Sequence, residues 1–178
     1  KADRFCYLKD PTSGKRTGKI KAKILFDMIT QAAWQTGDPG LVFIDEINKK
    51  NPTPHIGKIE ATNPCGELPL LAFESCNLAS INLAKMINNE NVNWEKLKDT
   101  VHWGIRFLDN VVEVNKYPIP EIREMTLANR KIGLGVMGFA DMLILLGIPY
   151  NSIDALRLAE KLMRFIHKES IEASMQLA

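Results

Sequence analysis

The stretch EATNPCGELPLLAFESCNLAS, residues 60–80, holds Cys65 and Cys76, two of the chain's three cysteines. Around Cys65 stand an amide, Asn63, and a carboxylate, Glu67, in a loop with prolines at 64 and 69. Each proline fixes its own φ and drives the residue before it toward extended geometry. In an extended loop Asn63, Cys65 and Glu67, at i, i+2 and i+4, project from one side, because the side-chain period of a strand is two. Amide, thiol and carboxylate then face one space. Gly66, without a Cβ, lets another molecule approach the backbone.

The chemistry open to this set is restricted. A carboxylate raises a neighbouring thiol's pKa, whereas nucleophilic cysteines sit near cations or helix N-termini. The nearest histidine, His55, lies ten residues before Cys65. Thiolate chemistry of the protease kind is therefore disfavoured. A neutral thiol beside a base can instead give up and take back a hydrogen atom while the carboxylate moves a proton on the same substrate. Radical chemistry of that sort needs a cofactor to start it. By itself, a cysteine in a Pro/Gly loop is more often a passive small residue, and Cys76 reads as a buried strand cysteine. Cys6 reads as structural or exposed.

Several elements must position these residues. GKIKAKILFDMITQAAWQTG places Ile20, Ile24, Phe26, Ile29, Ala33 and Trp34 at mostly helical spacing and stops at Gly37, a residue suited to the left-handed helix end. LVFID, residues 41–45, predicts a short buried strand capped by Asp45 and Glu46. CNLASINLAKMI predicts a strand running into a turn of helix. VNWEKLKDTVHWGIRFLDNVVEVN carries Trp94, Leu97, Val101, Gly104, Ile105, Leu108, Val111 and Val112 on one stripe, with Asn93 placed to cap it. YPIP ends that helix, PEIREMTLANR starts another with proline in its first turn, and KIGLGVMG predicts a strand. Two further helices, FADMLILLG and SIDALRLAEKLMRFIHKESIEASMQLA, follow. Strands separated by helices point to an α/β fold, with too few strands for a complete sheet or barrel.

Composition narrows the class. The 178 residues, 46% hydrophobic and 25% charged, predict one globular domain over residues 1–178. The 23 basic and 21 acidic residues are mixed along the chain, so no single-sign field marks a nucleic-acid or membrane partner. No apolar run approaches the roughly 18 residues that span a bilayer, and no signal peptide is visible, which predicts a cytoplasmic protein. Three cysteines without CxxC spacing favour neither a disulfide framework nor a metal site. The chain starts at Lys1 and stops within a helical pattern, so both ends read as cut. DPTSGKRTGK reads as a surface turn. GLGVMG is formally GxGxxG, but TLANRK before it is polar where a dinucleotide site needs an apolar strand, so Gly133, Gly135 and Gly138 read as close-packing glycines. His102 and His167 read as ordinary helix residues.

TNPCGE, ESCNLASINLAKM, ANRKIGLGVMGFADML and GIPYNS together resemble the catalytic subunit of ribonucleotide reductase, most of all the adenosylcobalamin-dependent class II form. The likeness runs from about Asp27 to the C-terminus. It implies a partial ten-stranded α/β barrel, helix-rich in this fragment, with Cys65 at the tip of a finger inside the barrel. It further implies that Cys65 carries the thiyl radical that takes the substrate's 3′ hydrogen, that Glu67 accepts the 3′-hydroxyl proton and that Asn63 hydrogen-bonds the sugar hydroxyls. Cys76, eleven residues after Cys65, becomes one half of the dithiol that reduces the 2′ position. That spacing leans toward class II. Adenosylcobalamin, a ribonucleotide substrate, an allosteric nucleotide bound outside this window, a thiol reductant such as thioredoxin and a homodimer are the implied cofactor and partners. The chain matches a central slice of a reductase and is expected to be inactive alone. A class I large subunit and a non-catalytic helical binding module are the rival readings.

Overall fold

The computed structural model describes residues 4–178. The described residues fall into two compact units, one running to Lys50 and one from Asn51 to Ala178. In the first, β1 (Phe5–Lys9) and β2 (Arg16–Lys21) form an antiparallel hairpin. The surface turn between them is held by Asp10, whose Oδ1 accepts from the Thr12 and Ser13 backbone N–H groups at 3.1 and 2.6 Å. Helix α1 (Ala22–Thr36) ends where the sequence predicts, at left-handed Gly37, whose N–H donates to Ala33 O at 2.9 Å. Its apolar residues are not buried, and Trp34 is 84% exposed.

The predicted strand at LVFID is corrected. Leu41, Val42 and Phe43 have no strand partner and lie exposed, and Ile44 begins helix α2 (Ile44–Lys49). Asp45 and Glu46, expected to cap a strand, instead occupy the first turn of that helix, where the backbone dipole favours negative charge, and Lys49 occupies the last.

The second unit opens with β3 (Ala61–Thr62) and β4 (Pro69–Leu70), an antiparallel pair. Strand β5 (Asn77–Asn82) runs into a 3-10 turn at Leu83–Met86, as CNLASINLAKMI predicts. A tight hairpin, β6 (Ile87–Asn88) and β7 (Asn91–Val92), leads to α3 (Trp94–Val114). Asn93 Oδ1 accepts from Lys96 N–H at 2.9 Å, the expected N-cap. Helix α4 (Pro120–Asn129) carries proline in its first turn, and β8 (Ile132–Met137) follows it. The chain closes with α5 (Phe139–Leu145) and α6 (Ile153–Leu177).

Strands β5 and β8 pair in parallel, with Leu78 opposite Gly133 and Ser80 opposite Gly135. Helix α3 packs on both strands, and α6 packs on α3. The buried stripe Leu97, Val101, Ile105, Leu108 and Val112 supplies the core, joined by Ile81, Leu83, Met86, Met142, Leu162 and Ile166. One acid enters this layer: Glu169 of α6 is 4% exposed, and its Oε2 lies 3.1 Å from His102 Nε2 and 3.2 Å from Lys98 Nζ on α3. The His102 hydrogen bond, with help from Lys98, outweighs burial and holds the Glu169 carboxyl below its ordinary value. His102 is therefore more than an ordinary helix residue. It is the partner that makes a buried acid tolerable.

Among the described residues the strands form four two-stranded pairings and no closed barrel. Gly133 and Gly135 lie inside β8, and Gly138, in left-handed geometry (φ 71°), starts α5. A Cβ on Gly138 would stand 2.6 Å from Asn82 Oδ1, the atom that caps the 3-10 turn by accepting from Ala84 N–H. Gly138→Ala is expected to cost about 1–3 kcal/mol, from left-handed strain plus a disturbed cap. Urea unfolding measures it, with Gly135→Ala as the milder comparison, its nearest atom being Ser80 Oγ at 3.6 Å.

Candidate functional site

The loop around Cys65 is a finger-like reversal carried by β3 and β4. Glu60 N–H donates to Leu70 O at 3.1 Å and Asn63 N–H to Leu68 O at 3.3 Å. Between them Asn63, Pro64, Cys65 and Gly66 make a β-turn, closed by Gly66 N–H donating to Asn63 O at 3.0 Å. The extended loop of the sequence reading is thus corrected, and the period-two argument for three side chains on one side does not apply to it. Proline at the second turn position and glycine at the fourth both favour reversal, and Gly66 takes φ 86°, where a Cβ is strained. The hairpin pairing on either side requires that reversal.

The turn gathers Asn63, Cys65 and Glu67 within five residues, and Cys65 and Glu67 are exposed at its tip. Asn63 is half-buried, and its Oδ1 accepts from Leu68 N–H at 3.0 Å. That bond makes Asn63 a brace of the finger, a role with no sequence signal beyond the usual asparagine preference for turns.

Cys76 stands apart from the turn, immediately before β5, half-buried and not disulfide-bonded. Its Sγ lies 3.5 Å from Asn77 O. Burial pushes the Cys76 thiol up, with Lys131 opposing and Glu74 adding to the rise. Cys6 lies in β1, partly exposed.

Sequence reasoning missed the polar residues that hold the Cys76 segment. Glu74 is buried, and it accepts from Leu71 N–H at 2.9 Å, Lys131 Nζ at 2.6 Å and Asn129 Nδ2 at 2.9 Å. Burial by itself would raise its pKa, but the bonds from Lys131, Leu71 and Asn129 together bring it below the ordinary carboxylate value. Ser75 and Thr126 hydroxyls meet at 2.7 Å, and Asn77 Nδ2 donates to Leu108 O at 3.2 Å. Arg130, beside Lys131, binds Asp109 and Glu113 of α3.

A paired two-residue hairpin, an exposed cysteine in its turn and a second cysteine at the mouth of a parallel strand pair are features that a family comparison can test. The family model "Ribonucleotide reductase, barrel domain" matches residues 4–178. The chain belongs to that family. It is 52% identical over 177 residues to a vitamin B12-dependent ribonucleoside-diphosphate reductase of Thermoplasma acidophilum, covering 99% of this chain and 23% of the relative. A protein of the same description from Mycobacterium tuberculosis is 54% identical over 171 residues, covering 96% and 25%. Among solved structures, the class Id ribonucleotide reductase alpha subunit of Actinobacillus ureae superposes with a TM-score of 0.68 at 28% identity, over 88% of this chain and 31% of that one. The chain spans about a quarter of the length of the curated relatives it matches.

The Asn63 brace has a measurable consequence at the Leu68 amide. In Asn63→Ala the Leu68 amide is expected to exchange with solvent roughly two- to twelvefold faster, the equivalent of about 0.5–1.5 kcal/mol for one net hydrogen bond. Unchanged exchange would show that pairing and prolines hold the turn without it.

Proposed function

We propose that this chain is the radical-bearing part of a vitamin B12-dependent ribonucleotide reductase, which converts ribonucleotides to deoxyribonucleotides for DNA synthesis. The observation that carries the reading is Cys65, exposed at the tip of a hydrogen-bonded turn in a chain of the reductase barrel family. The names of the curated relatives favour a ribonucleoside diphosphate as substrate and adenosylcobalamin as cofactor. An exposed thiol fits that cofactor, because the group to be oxidised must be reachable. When bound, adenosylcobalamin supplies a carbon radical able to take a hydrogen atom from a thiol. The rival within the family, a class I large subunit, is separated by whether turnover depends on added cobalamin or on a metal-bearing partner subunit.

In this reading the Cys65 sulfur removes the substrate's 3′ hydrogen and later returns it. Glu67, exposed one residue beyond Gly66, accepts the 3′-hydroxyl proton. Asn63 has its oxygen committed to Leu68 N–H, so its amide N–H donors are the atoms left to hold sugar hydroxyls. Cys76 and a second cysteine elsewhere in the protein give up two electrons and become a disulfide as the 2′-hydroxyl leaves as water. A small thiol reductant protein such as thioredoxin then restores the pair. An allosteric nucleotide, a homodimer and a cytoplasmic setting complete the proposal. Among the described residues no helix is long and apolar enough to cross a membrane.

Two substitutions in the full-length protein test the roles. A serine hydroxyl holds its hydrogen far more strongly than a thiol, so Cys65→Ser is expected to abolish turnover and leave nucleotide binding nearly intact. Turnover above a few per cent of wild type would remove Cys65 from the radical role. Cys76→Ser is expected to let the reaction begin and then divert, with free base released, little deoxynucleotide formed and the enzyme lost in few turnovers, because one thiol does not make a disulfide. Base release and deoxynucleotide are followed together in the presence of cofactor and dithiothreitol. A normal deoxynucleotide yield would make Cys76 a bystander.

A further inference from the structure

The segment leading into β5 carries a buried charge pair next to a thiol. The Glu74 side chain is 0% exposed and Lys131 22%. Glu74 braces this loop by accepting from Leu71 N–H and Asn129, two bonds a neutral glutamine could also accept. What the ion pair adds to that brace is a pair of opposite charges. Both members also flank one thiol. Glu74 precedes Cys76 by two residues, and Lys131 precedes Gly133, where a Cβ would lie 4.0 Å from Cys76 Sγ.

The surroundings leave these two groups as the ones that act on Cys76. Arg130, the residue before Lys131, is taken by Asp109 and Glu113 of α3. From α4 the contact is uncharged, Thr126 to Ser75 and Asn129 to Glu74. From α3 it is the Leu108 carbonyl, which receives the Asn77 amide.

The geometry points to Glu74 and Lys131 as a positioning pair that holds the Cys76 segment against β8 with no net charge, and so keeps Cys76 a protonated thiol. This rests on the reading of Cys76 as a member of the reducing dithiol. A lone ammonium group at Lys131 would draw the thiol toward thiolate, and a lone carboxylate at Glu74 would push it the other way. Together they oppose each other, and burial, the largest influence, pushes the thiol up. The consequence for the reaction is that Cys76 retains a proton to give as well as an electron, at a place where a hydroxyl must leave as water.

The test reads the pH profile of Cys76 alkylation, which needs no turnover. The full-length protein is reduced with dithiothreitol, exchanged into buffer, and treated with iodoacetamide over a pH series, with the Cys76 peptide quantified by mass spectrometry. The thiolate attacks the reagent and iodide leaves, so rate at a given pH below the thiol pKa follows the thiolate fraction. Glu74→Gln is expected to speed Cys76 alkylation at neutral pH about threefold or more, with its profile shifted to lower pH. Lys131→Met is expected to slow it in the alkaline part of the series, where Glu74, still bonded to Leu71 N–H and Asn129, is ionised even without its cation. The double variant is expected near wild type. Unchanged profiles in both single variants would overturn the inference, and so would acceleration in both, which is the mark of a loosened loop. If Glu74→Gln fails to fold, Lys131→Met decides alone, slower supporting the pair and unchanged or faster overturning it. Normal deoxynucleotide yield from Cys76→Ser would sink the dithiol reading and leave these profiles standing, so the two failures are distinct.

Discussion

The parallel pairing of β5 with β8 is the constraint on which the larger unit depends. Antiparallel neighbours can be joined by a two-residue turn, but parallel ones need a long crossover. Here that crossover holds the 3-10 turn, the β6–β7 hairpin, α3 and α4. Its apolar face is α3, whose buried stripe packs with both strands and with α6 in one core. The register of the pair then fixes what stands where. Asn77 opposes Ile132, so the residues just before each strand, Cys76 and Lys131, arrive at the same end.

Against this rigid layer the Cys65 turn is a different kind of structure. Its strands are two residues long, its hydrogen bonds are few, and its tip is exposed. Preorganisation comes from conformational restriction, through two prolines, one left-handed glycine and the Asn63 amide, and not from burial. In the proposed function, a thiol that meets both a cofactor and a substrate is served by that combination of fixed backbone and open tip. Cys76, proposed as the reducing thiol, is instead set partly into the layer, where burial favours its protonated form.

Two buried acids show how the layer tolerates charge. Glu169 joins α6 to α3 through His102 and Lys98, and Glu74 joins the Cys76 segment to the start of β8 through Lys131 and Asn129. Each carboxylate has a cation within hydrogen-bonding distance, which is what burial of an acid demands. The first is placed between two packed helices, α3 and α6. The second is placed two residues from a thiol.

Much of this was legible in the sequence because the deciding interactions are local. The α3 stripe and its Asn93 cap, the proline start of α4, the glycine end of α1 and the strands at CNLASIN and KIGLGVM each depend on residues within about one helical turn or one strand period. The family resemblance was carried by equally local strings around Cys65 and Cys76. Three matters were decided only by tertiary structure. LVFID has strand-like residues, but among the described residues no second strand comes to it, and Asp45 with the following Glu46 acts as a helix start. Asn63 to Gly66 is a turn and not an extended run, because β3 and β4 pair with each other and the chain between them has to reverse. Glu74 and Lys131 are 57 residues apart, and no periodicity links them. Their meeting follows from the β5–β8 register, which is set by side chains packing between distant segments, and that is information a local pattern does not hold.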